Sequence, residues 1–324
     1  MASEFDLIAR YFTRPTPQAV LGVGDDAALM RLGPGMELAV STDMLVEGTH
    51  FLPYTDAEAL GWKSLAVNLS DLAAMGAQAR WAVLSVALPN ADEAWIAAFC
   101  RGLFACADTY GVDLVGGDTT RGPLTLCPTI FGEVPAGQAL LRSGARPGDE
   151  VWISGSPGLA ALGLAHLQGR TVLPEPALAA CVDKLQRPQP RVALGLGLRG
   201  LASAAIDVSD GLLGDLRHIL ERSRVGAVLH LERMPTAARE ATPDADLARA
   251  SLLAGGDDYE LLFTAAPDKH AAIRTLGATL GLPLQAIGAI LADAAAGLEL
   301  LAQGKPVPFA QPMGFDHFTA QNHG

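Results

Sequence analysis

The chain has 324 residues, and 23 Lys and Arg stand against 35 Asp and Glu, so the formal net charge is −12. Hydrophobic residues make up 50% of the chain and charged residues 18%, which excludes a disordered protein because there is ample apolar material for a core. The acidic balance argues against a nucleic-acid binder and against a basic membrane-surface protein, since both partners are anionic. At roughly 150 residues per domain, this length favours two domains.

The predicted elements alternate between strands and helices along the chain. In the first half we expect a short helix over 5–12, strands over 19–23 and 37–42, helices over 56–75 and 92–110, and strands over 80–88, 112–115 and 124–134. Turn residues over 143–149 predict a boundary. A strand over 150–154 and an apolar helix over 159–168 follow it. We therefore expect two α/β domains, at 1–140 and 145–324.

Cysteine use and the N-terminus indicate the compartment. The cysteines are Cys100, Cys106, Cys127 and Cys181, each in an apolar run and none in a Cys-x-x-Cys pair. Reduced thiols and a cytoplasmic location are expected from this pattern. No run approaches the roughly 18 apolar residues of a membrane span, and the first residues carry acids where a signal peptide carries positive charge.

The most distinctive feature is a set of aspartates in turns built from small residues. The six motifs are Gly24-Asp25-Asp26, Ser41-Thr42-Asp43, Asn68-Leu69-Ser70-Asp71, Gly116-Gly117-Asp118-Thr119, Asp207-Val208-Ser209-Asp210-Gly211 and Gly255-Gly256-Asp257-Asp258. Any one of them alone is more typical of an ordinary turn or helix cap, as we interpret Asp56 and Asp92. Most of the six follow a predicted strand, and strand ends are where α/β sheets bind ligands. Converging carboxylates need a cation, and hard oxygen ligands favour Mg²⁺ and phosphate chemistry.

Other signatures were tested against this interpretation. The chain has no Gly-x-x-x-x-Gly-Lys-[Ser/Thr] loop and no His-Glu-x-x-His or Cys/His zinc spacing. Residues 195–200 match Gly-x-Gly-x-x-Gly, but they lie within a helical apolar pattern, so we interpret the match as chance. Arg121 and Arg142 adjoin Gly-rich turns, where a guanidinium could contact phosphate, although an ordinary surface role is the default. His50 is the one histidine near the aspartate motifs.

Taken in order, these motifs resemble the thiamine-monophosphate kinase family, within the superfamily that includes aminoimidazole ribonucleotide synthetase. The resemblance runs from Phe5-Asp6-Leu7-Ile8 to Gly314-Phe315-Asp316-His317-Phe318. It implies a two-domain α/β fold of the aminoimidazole ribonucleotide synthetase type, with an N-terminal domain that contributes to a dimeric β-barrel. It also implies a homodimer that phosphorylates thiamine monophosphate with ATP by direct transfer, using several Mg²⁺ ions and no residue as acid or base.

The resemblance further implies roles for individual residues. The metal ligands would be Asp26, Ser41, Thr42, Asp43, Asp71, Asp118, Asp207 and Asp210. ATP would contact Tyr110, Gly117, Asp118, Arg142 and Ser209. Thiamine monophosphate would contact His50, Asp257 and Phe315. The family usually has Glu where this chain has Asp257, so the side chain is one methylene shorter here.

Other functions stay open at this point. One is another ATP-using enzyme of the superfamily, such as a selenophosphate synthetase, which would need a reactive Cys near its N-terminus, or a hydrogenase-maturation protein. Another is a Mg-nucleotide sensor without catalysis, against which the retained aspartates argue. A third is a two-metal phosphohydrolase, which would release phosphate without an acceptor.

Overall fold

A computed structural model describes residues 4–309 of the chain. These residues form two compact units. The first contains the chain up to Leu140 together with Gln186–Gly200, and the second contains Leu141–Leu185 and the chain from Leu201 onward. Over the described residues, no helix combines the length and the apolar character that crossing a membrane requires.

The first unit combines five strands with helices. Its strands are β1 (Met36–Thr42), β2 (Leu45–Val46), β3 (Gln78–Leu88), β4 (Asp113–Arg121) and β5 (Thr125–Pro135). Its helices are α1 (Glu4–Leu7), which continues as a π-helical turn over Ile8–Phe12, α2 (Ala57–Ala74), α3 (Glu93–Tyr110) and α6 (Val192–Leu198). Asp56 and Asp92 are the N-caps of α2 and α3, as predicted, and their carboxylates accept backbone N–H groups of the first turn.

The sheet of the first unit has the strand order β1-β5-β3-β4, and β2 pairs with β5. β3 and β4 run parallel, and the other pairs are antiparallel. Side chains of β5 alternate between buried and half-buried, so one face of the sheet is covered more fully than the other. On the edge strand β1 the apolar side chains of Met36, Leu38 and Val40 remain exposed. Over the described residues this sheet is open, so these strands do not by themselves close the barrel that the resemblance implies.

Glycines allow the helices of the first unit to pack closely. A Cβ atom at Gly61 of α2 would lie 1.9 Å from the Phe99 carbonyl oxygen, and one at Gly102 of α3 would lie 1.7 Å from the Glu58 carbonyl oxygen. Gly195 of α6 meets the Ala73 carbonyl in the same way, at 2.0 Å. The Gly-x-Gly-x-x-Gly match therefore includes a helix-packing glycine inside a helix, which supports interpreting it as chance.

Two predicted strands differ from the structure. The segment over 19–23 is not a strand, because only isolated bridges join Leu21 to Leu29 and Val23 to Asp25. β4 does not end before the Gly-rich turn but continues through it to Arg121. Gly117 makes this possible, since a Cβ atom there would lie 2.0 Å from the Leu84 carbonyl oxygen of β3.

The second unit is built on a seven-stranded sheet. Its strands are β6 (Glu150–Ser154), β7 (Ala204–Val208), β8 (Gly226–His230), β9 (Glu260–Ala265), β10 (Leu284–Leu291), β11 (Leu298–Ala302) and β12 (Lys305–Pro306), in the order β12-β11-β8-β10-β6-β9-β7. Its helices are α4 (Leu159–Leu167), α5 (Ala177–Gln186), α7 (Leu212–Ser223), α8 (Ala237–Ala241), α9 (Ala245–Ala254) and α10 (His270–Leu280). Every residue of β7 and β9 is buried, so that end of the sheet is covered on both faces. The mixed α/β fold with two units agrees with the predicted class.

Candidate active site

Ser41 and Asp71 are brought together in the first unit. Ser41 lies near the end of β1, and Asp71 lies in the last turn of α2. The Ser41 hydroxyl donates a hydrogen bond to Asp71 Oδ2, and both residues are half-buried. Two of the predicted oxygen ligands are therefore neighbours, although they are 30 residues apart in the chain.

Thr42 and Asp43 continue the same strand end. The Thr42 hydroxyl donates to the Pro128 carbonyl oxygen at 3.0 Å and accepts from the Thr129 hydroxyl at 2.9 Å. Both partners belong to β5, so the Thr42 side chain is fixed against the neighbouring strand. Asp43 follows β1 directly and is half-buried.

Asp26 and Asp118 are not gathered with this group by the strands of the sheet. Asp118 and Gly117 lie on β4, at the sheet edge opposite β1, with β5 and β3 between them and β1. Asp118 is exposed and pairs in register with Ser85 of β3. Asp26 is exposed in the irregular segment before β1. Within the sheet, Asp118 and Ser41 therefore lie on opposite edge strands.

His50 and Tyr110 are fixed by contacts within the first unit. Nδ1 of His50 accepts the backbone N–H of Val46 at 3.0 Å. Tyr110 ends α3, its ring meets that of Trp62 edge-on at 6.2 Å, and its hydroxyl donates to Gln189 Oε1 at 3.4 Å. Burial raises the pKa of Tyr110 to about 12, so this hydroxyl stays protonated and can act as a donor at neutral pH.

In the second unit, Asp207 lies near the end of β7, and the loop that joins β7 to α7 carries Ser209 and Asp210. Asp207 is buried at the end of β7, and Asp210 is exposed. The backbone N–H groups of Ser209, Asp210 and Gly211 all donate to Oδ2 of Asp215, each at 3.1 Å. Asp215 lies in the first turn of α7 and is 3% exposed. Burial raises its pKa to about 7, Asp210 raises it as well, and the three backbone hydrogen bonds oppose both effects.

The segment that carries Asp257 is hydrogen-bonded to this loop. The Asp257 N–H donates to the Ser209 carbonyl, and the Tyr259 N–H donates to the Val208 carbonyl, both at 2.8 Å. The Tyr259 hydroxyl donates to Asp257 Oδ1 at 3.0 Å. Asp257 and Tyr259 both have positive φ, at 67° and 50°. The predicted nucleotide residue Ser209 and the predicted acceptor residue Asp257 are therefore joined through one backbone hydrogen bond.

Two further acids of this segment are buried, and sequence reasoning missed their role. Asp258 is fully buried and accepts the N–H groups of Gly158 and Ala160 at the start of α4, at 2.6 and 3.4 Å. Glu260 is also fully buried, where it accepts Lys184 Nζ at 2.5 Å and the Ser154 hydroxyl at 2.6 Å. The available signal was charge next to an apolar run, since Leu261, Leu262 and Phe263 follow directly.

Two predicted residues remain to be placed. Arg142 is exposed in the second unit, and its backbone carbonyl accepts the Ser223 hydroxyl at 3.3 Å. Phe315 lies outside the described residues.

Several of the described side chains are of types that could bind a metal ion. Over residues 4–309, no three or more His, Cys, Asp or Glu side chains are grouped so that they could hold a metal ion. The oxygen donors that are present, with Ser41 against Asp71 and with Asp207 in β7 and Asp210 in the loop after it, have the hard chemistry that Mg²⁺ prefers. The donor type therefore fits magnesium, while the arrangement shows no assembled site.

Comparison with known proteins now defines the class. Residues 24–134 match the N-terminal domain of AIR synthase related proteins, and residues 146–300 match the C-terminal domain of the same group. Together these matches cover most of the chain, so the chain belongs to the AIR synthase related proteins.

Full-length relatives narrow this class. The chain is 46% identical to thiamine-monophosphate kinase of Salmonella typhimurium, over 98% of both chains. The crystal structure of thiamine-monophosphate kinase from Stenotrophomonas maltophilia K279a is 47% identical and covers 93% of this chain and 95% of its own, with a TM-score of 0.82. AaThiL complexed with AMPPCP and TMP is 29% identical over 97% of each chain, with a TM-score of 0.76. The chain belongs to the thiamine-monophosphate kinase family and is a kinase.

Proposed function

We propose that this protein transfers the terminal phosphoryl group of ATP to the phosphate of thiamine monophosphate, which gives thiamine diphosphate. The observation that carries the proposal is the match along the whole chain, at 46% identity, to proteins named thiamine-monophosphate kinase. The complex of a 29% identical relative with AMPPCP and TMP supports both substrates. The reaction breaks the bond between the γ-phosphorus and the β,γ-bridging oxygen and forms a bond to an oxygen of the acceptor phosphate.

The acceptor explains why the chain needs no catalytic base. A phosphate monoester is already anionic at neutral pH, so its attacking oxygen carries no proton that must be removed. The obstacle is repulsion between two polyanions, which is relieved by positioning and by positive charge. The acidic, lysine-poor motifs of this chain suit a site in which cations accompany the substrates.

Individual contacts follow from the family resemblance. We assign contacts with ATP to Tyr110, Gly117, Asp118, Arg142 and Ser209, and contacts with thiamine monophosphate to His50, Asp257 and Phe315. The half-buried, protonated Tyr110 hydroxyl supports a donor role, and Arg142 would supply positive charge.

Magnesium is the cation that we propose. The residues that would hold it are Asp26, Ser41, Thr42, Asp43, Asp71, Asp118, Asp207 and Asp210. When bound, Mg²⁺ would neutralise the phosphate charges that otherwise repel each other. The Ser41 hydroxyl donates to Asp71, and this hydrogen bond orients the Asp71 carboxylate.

The test is incubation with ATP, Mg²⁺ and thiamine monophosphate, followed by chromatography for thiamine diphosphate. Free thiamine is the matched control, because its alcohol would need a base that the chain does not offer, and we expect no turnover of it. Equal turnover of both acceptors would contradict direct transfer to a phosphate. Phosphate release without an acceptor would favour a hydrolase, and nucleotide binding without turnover would favour a sensor.

Removal of one negative charge tests whether Asp71 is a metal ligand. Asp71→Asn keeps the shape and can still accept the Ser41 hydroxyl, but it removes a negative charge from the proposed ligands. We expect turnover to fall by roughly two orders of magnitude or more, since transition-state charge is no longer stabilised. The melting temperature without ligands should stay near that of the wild type. Near-normal turnover would remove Asp71 from the proposed metal ligands.

We also propose a homodimer, formed through the exposed face of β1. Leu38 and Val40 are 46% and 53% exposed on an edge strand, and unpaired apolar edges are typical of interfaces.

A cytoplasmic location is proposed from the thiols, since Cys100, Cys106 and Cys181 are buried and form no disulfide bond.

A further inference from the structure

The start of α7 differs from an ordinary helix N-terminus. A loop that leads into a helix normally offers its free N–H groups to an anion such as phosphate. Here three consecutive N–H groups, of Ser209, Asp210 and Gly211, are already bonded to Asp215, each at 3.1 Å. The carboxylate belongs to the first turn of the same helix, where the helix dipole favours negative charge.

These three N–H groups are therefore not available to a phosphate. The acidic side chains beside them, Asp207 in β7 and Asp210 in the loop, are of a chemical type that suits a cation. Asp215 itself is 3% exposed, which is too little for direct contact with a substrate of this size.

The same loop is also hydrogen-bonded to the segment that carries Asp257, the residue proposed to contact the acceptor. The Ser209 carbonyl accepts the N–H of Asp257 at 2.8 Å, so a shift of Ser209 would shift Asp257. Two glycines allow the segments to lie this close. A Cβ atom at Gly256 would lie 2.5 Å from the Ser209 carbonyl oxygen, and one at Gly211 would lie 2.8 Å from Ala254 backbone atoms.

We infer that Asp215 is a positioning residue that holds the loop of Ser209 and Asp210 and, through the Ser209 carbonyl, the segment that carries Asp257. It acts through the backbone and touches neither substrate. The inference rests on the proposed function for the roles of Ser209 and Asp257, whereas the backbone coupling is a property of the protein alone.

The experiment compares Asp215→Ala, Asp215→Asn and a control, Asp244→Ala. Asp244 also accepts N–H groups at a helix start, from Asp246 and Leu247 at 3.1 and 2.9 Å, but it caps α9. Amide hydrogen exchange of the full chain without ligands is followed over 207–216 and 255–259. The KM values for ATP and for thiamine monophosphate, and kcat, are measured on the same samples.

For Asp215→Ala we expect amide exchange about tenfold faster or more in both segments, with β8 and β10 still protected, because three hydrogen bonds to the Asp215 carboxyl are lost. Catalytic efficiency should fall at least about tenfold, with both KM values raised, since both substrate contacts lose their support. Asp215→Asn retains an acceptor oxygen and should recover part of each effect. Asp244→Ala should disturb α9 and leave the kinetic constants unchanged.

Wild-type exchange in both segments of Asp215→Ala would overturn the inference, as would a lower melting temperature with unchanged KM values and kcat. If Asp215→Ala does not fold, Asp215→Asn decides by the same two measurements. Failure of the proposed function is recognised separately, because the wild type would then form no thiamine diphosphate while the exchange comparison would still stand.

Discussion

Asp257 has a backbone conformation that restricts which residues can replace it. Its φ of 67° lies in the left-handed region, which Asp and Asn tolerate better than most residues. Asp is one methylene shorter than the Glu that the family resemblance implies here, and it tolerates this backbone conformation better. The Tyr259 hydroxyl on its carboxylate fixes the orientation of the shorter side chain.

We predict that Asp257→Asn raises the KM for thiamine monophosphate by about tenfold and leaves the KM for ATP near that of the wild type. The reason is loss of one charged contact with the acceptor, which is worth on the order of 1.5–3 kcal/mol. Asp257→Glu should retain acceptor binding because it restores the side chain that is usual in the family. Steady-state kinetics with each substrate varied checks this, and an unchanged acceptor KM in Asp257→Asn would exclude the contact.

Asp258 illustrates a buried carboxyl that responds to pH. Burial raises its pKa to about 8, while Lys184 and the N–H groups of Gly158 and Ala160 lower it and Glu260 raises it. Because the unfolded value is about 3.9, the folded protein keeps a proton between about pH 4 and pH 8 that the unfolded chain releases. The folded state binds more protons there, so this group makes the free energy of unfolding fall as pH rises.

We therefore predict that the stability advantage of the wild type over Asp258→Asn shrinks between about pH 4 and pH 8, by up to roughly 1.4 kcal/mol per pH unit. Asn keeps the size and an acceptor oxygen but does not titrate, so other carboxylates cancel in the difference. Urea unfolding of both proteins across this range is the measurement. A difference that is independent of pH would show that Asp258 is ionised throughout.

At the scale of elements, the α2–α3 pair depends on two glycines. A Cβ atom added at Gly102 would lie 1.7 Å from the Glu58 carbonyl oxygen. The two helices would have to move apart to accommodate it. In an exposed helix, Gly→Ala stabilises by about 0.5–1 kcal/mol. At Gly102 the steric overlap costs more free energy than the higher helix propensity of Ala provides. Whether Gly102→Ala lowers or raises the free energy of unfolding therefore shows how closely α2 and α3 pack.

We predict that Gly102→Ala destabilises the protein by about 1–3 kcal/mol, which is the usual cost of overpacking. Ala105→Gly, at an exposed position of the same helix, serves as the control and should cost about 1 kcal/mol through helix propensity alone. Urea unfolding of both variants distinguishes the two effects. A stabilised Gly102→Ala would mean that α2 and α3 pack less closely than described.

At the scale of the whole molecule, the proposed homodimer can be tested through the oligomeric state in solution. Val40→Lys places a charge on the exposed face of β1, and we expect it to shift sedimentation from dimer to monomer without loss of folding, because Val40 is 53% exposed within one chain. Val172→Lys is the control, since Val172 is 84% exposed in the second unit and should leave assembly unchanged. A wild type that sediments as a monomer would contradict the proposed homodimer, and an unchanged dimer in Val40→Lys would place its interface elsewhere.

Sequence reasoning was most successful where the information is local. The helices begin where Asp56 and Asp92 cap them, because capping is decided within four residues. The aspartate motifs and their order indicated the family, since each motif is a short run that can be recognised without knowing its neighbours in space.

The tertiary structure decided what depends on distant residues. β4 continues past Gly117 because Gly117 lies directly against Leu84 of β3, and Asp118 and Ser41 lie on opposite edge strands because β5 and β3 lie between β4 and β1. Asp258 belongs to one of the six aspartate motifs and Glu260 follows it closely, but only the structure shows that both are fully buried, with Asp258 bonded to α4 and Glu260 to Lys184. Burial and strand order arise from packing between segments far apart in the chain, such as the 76 residues between Lys184 and Glu260 and the 100 between Gly158 and Asp258, so no local pattern could specify them.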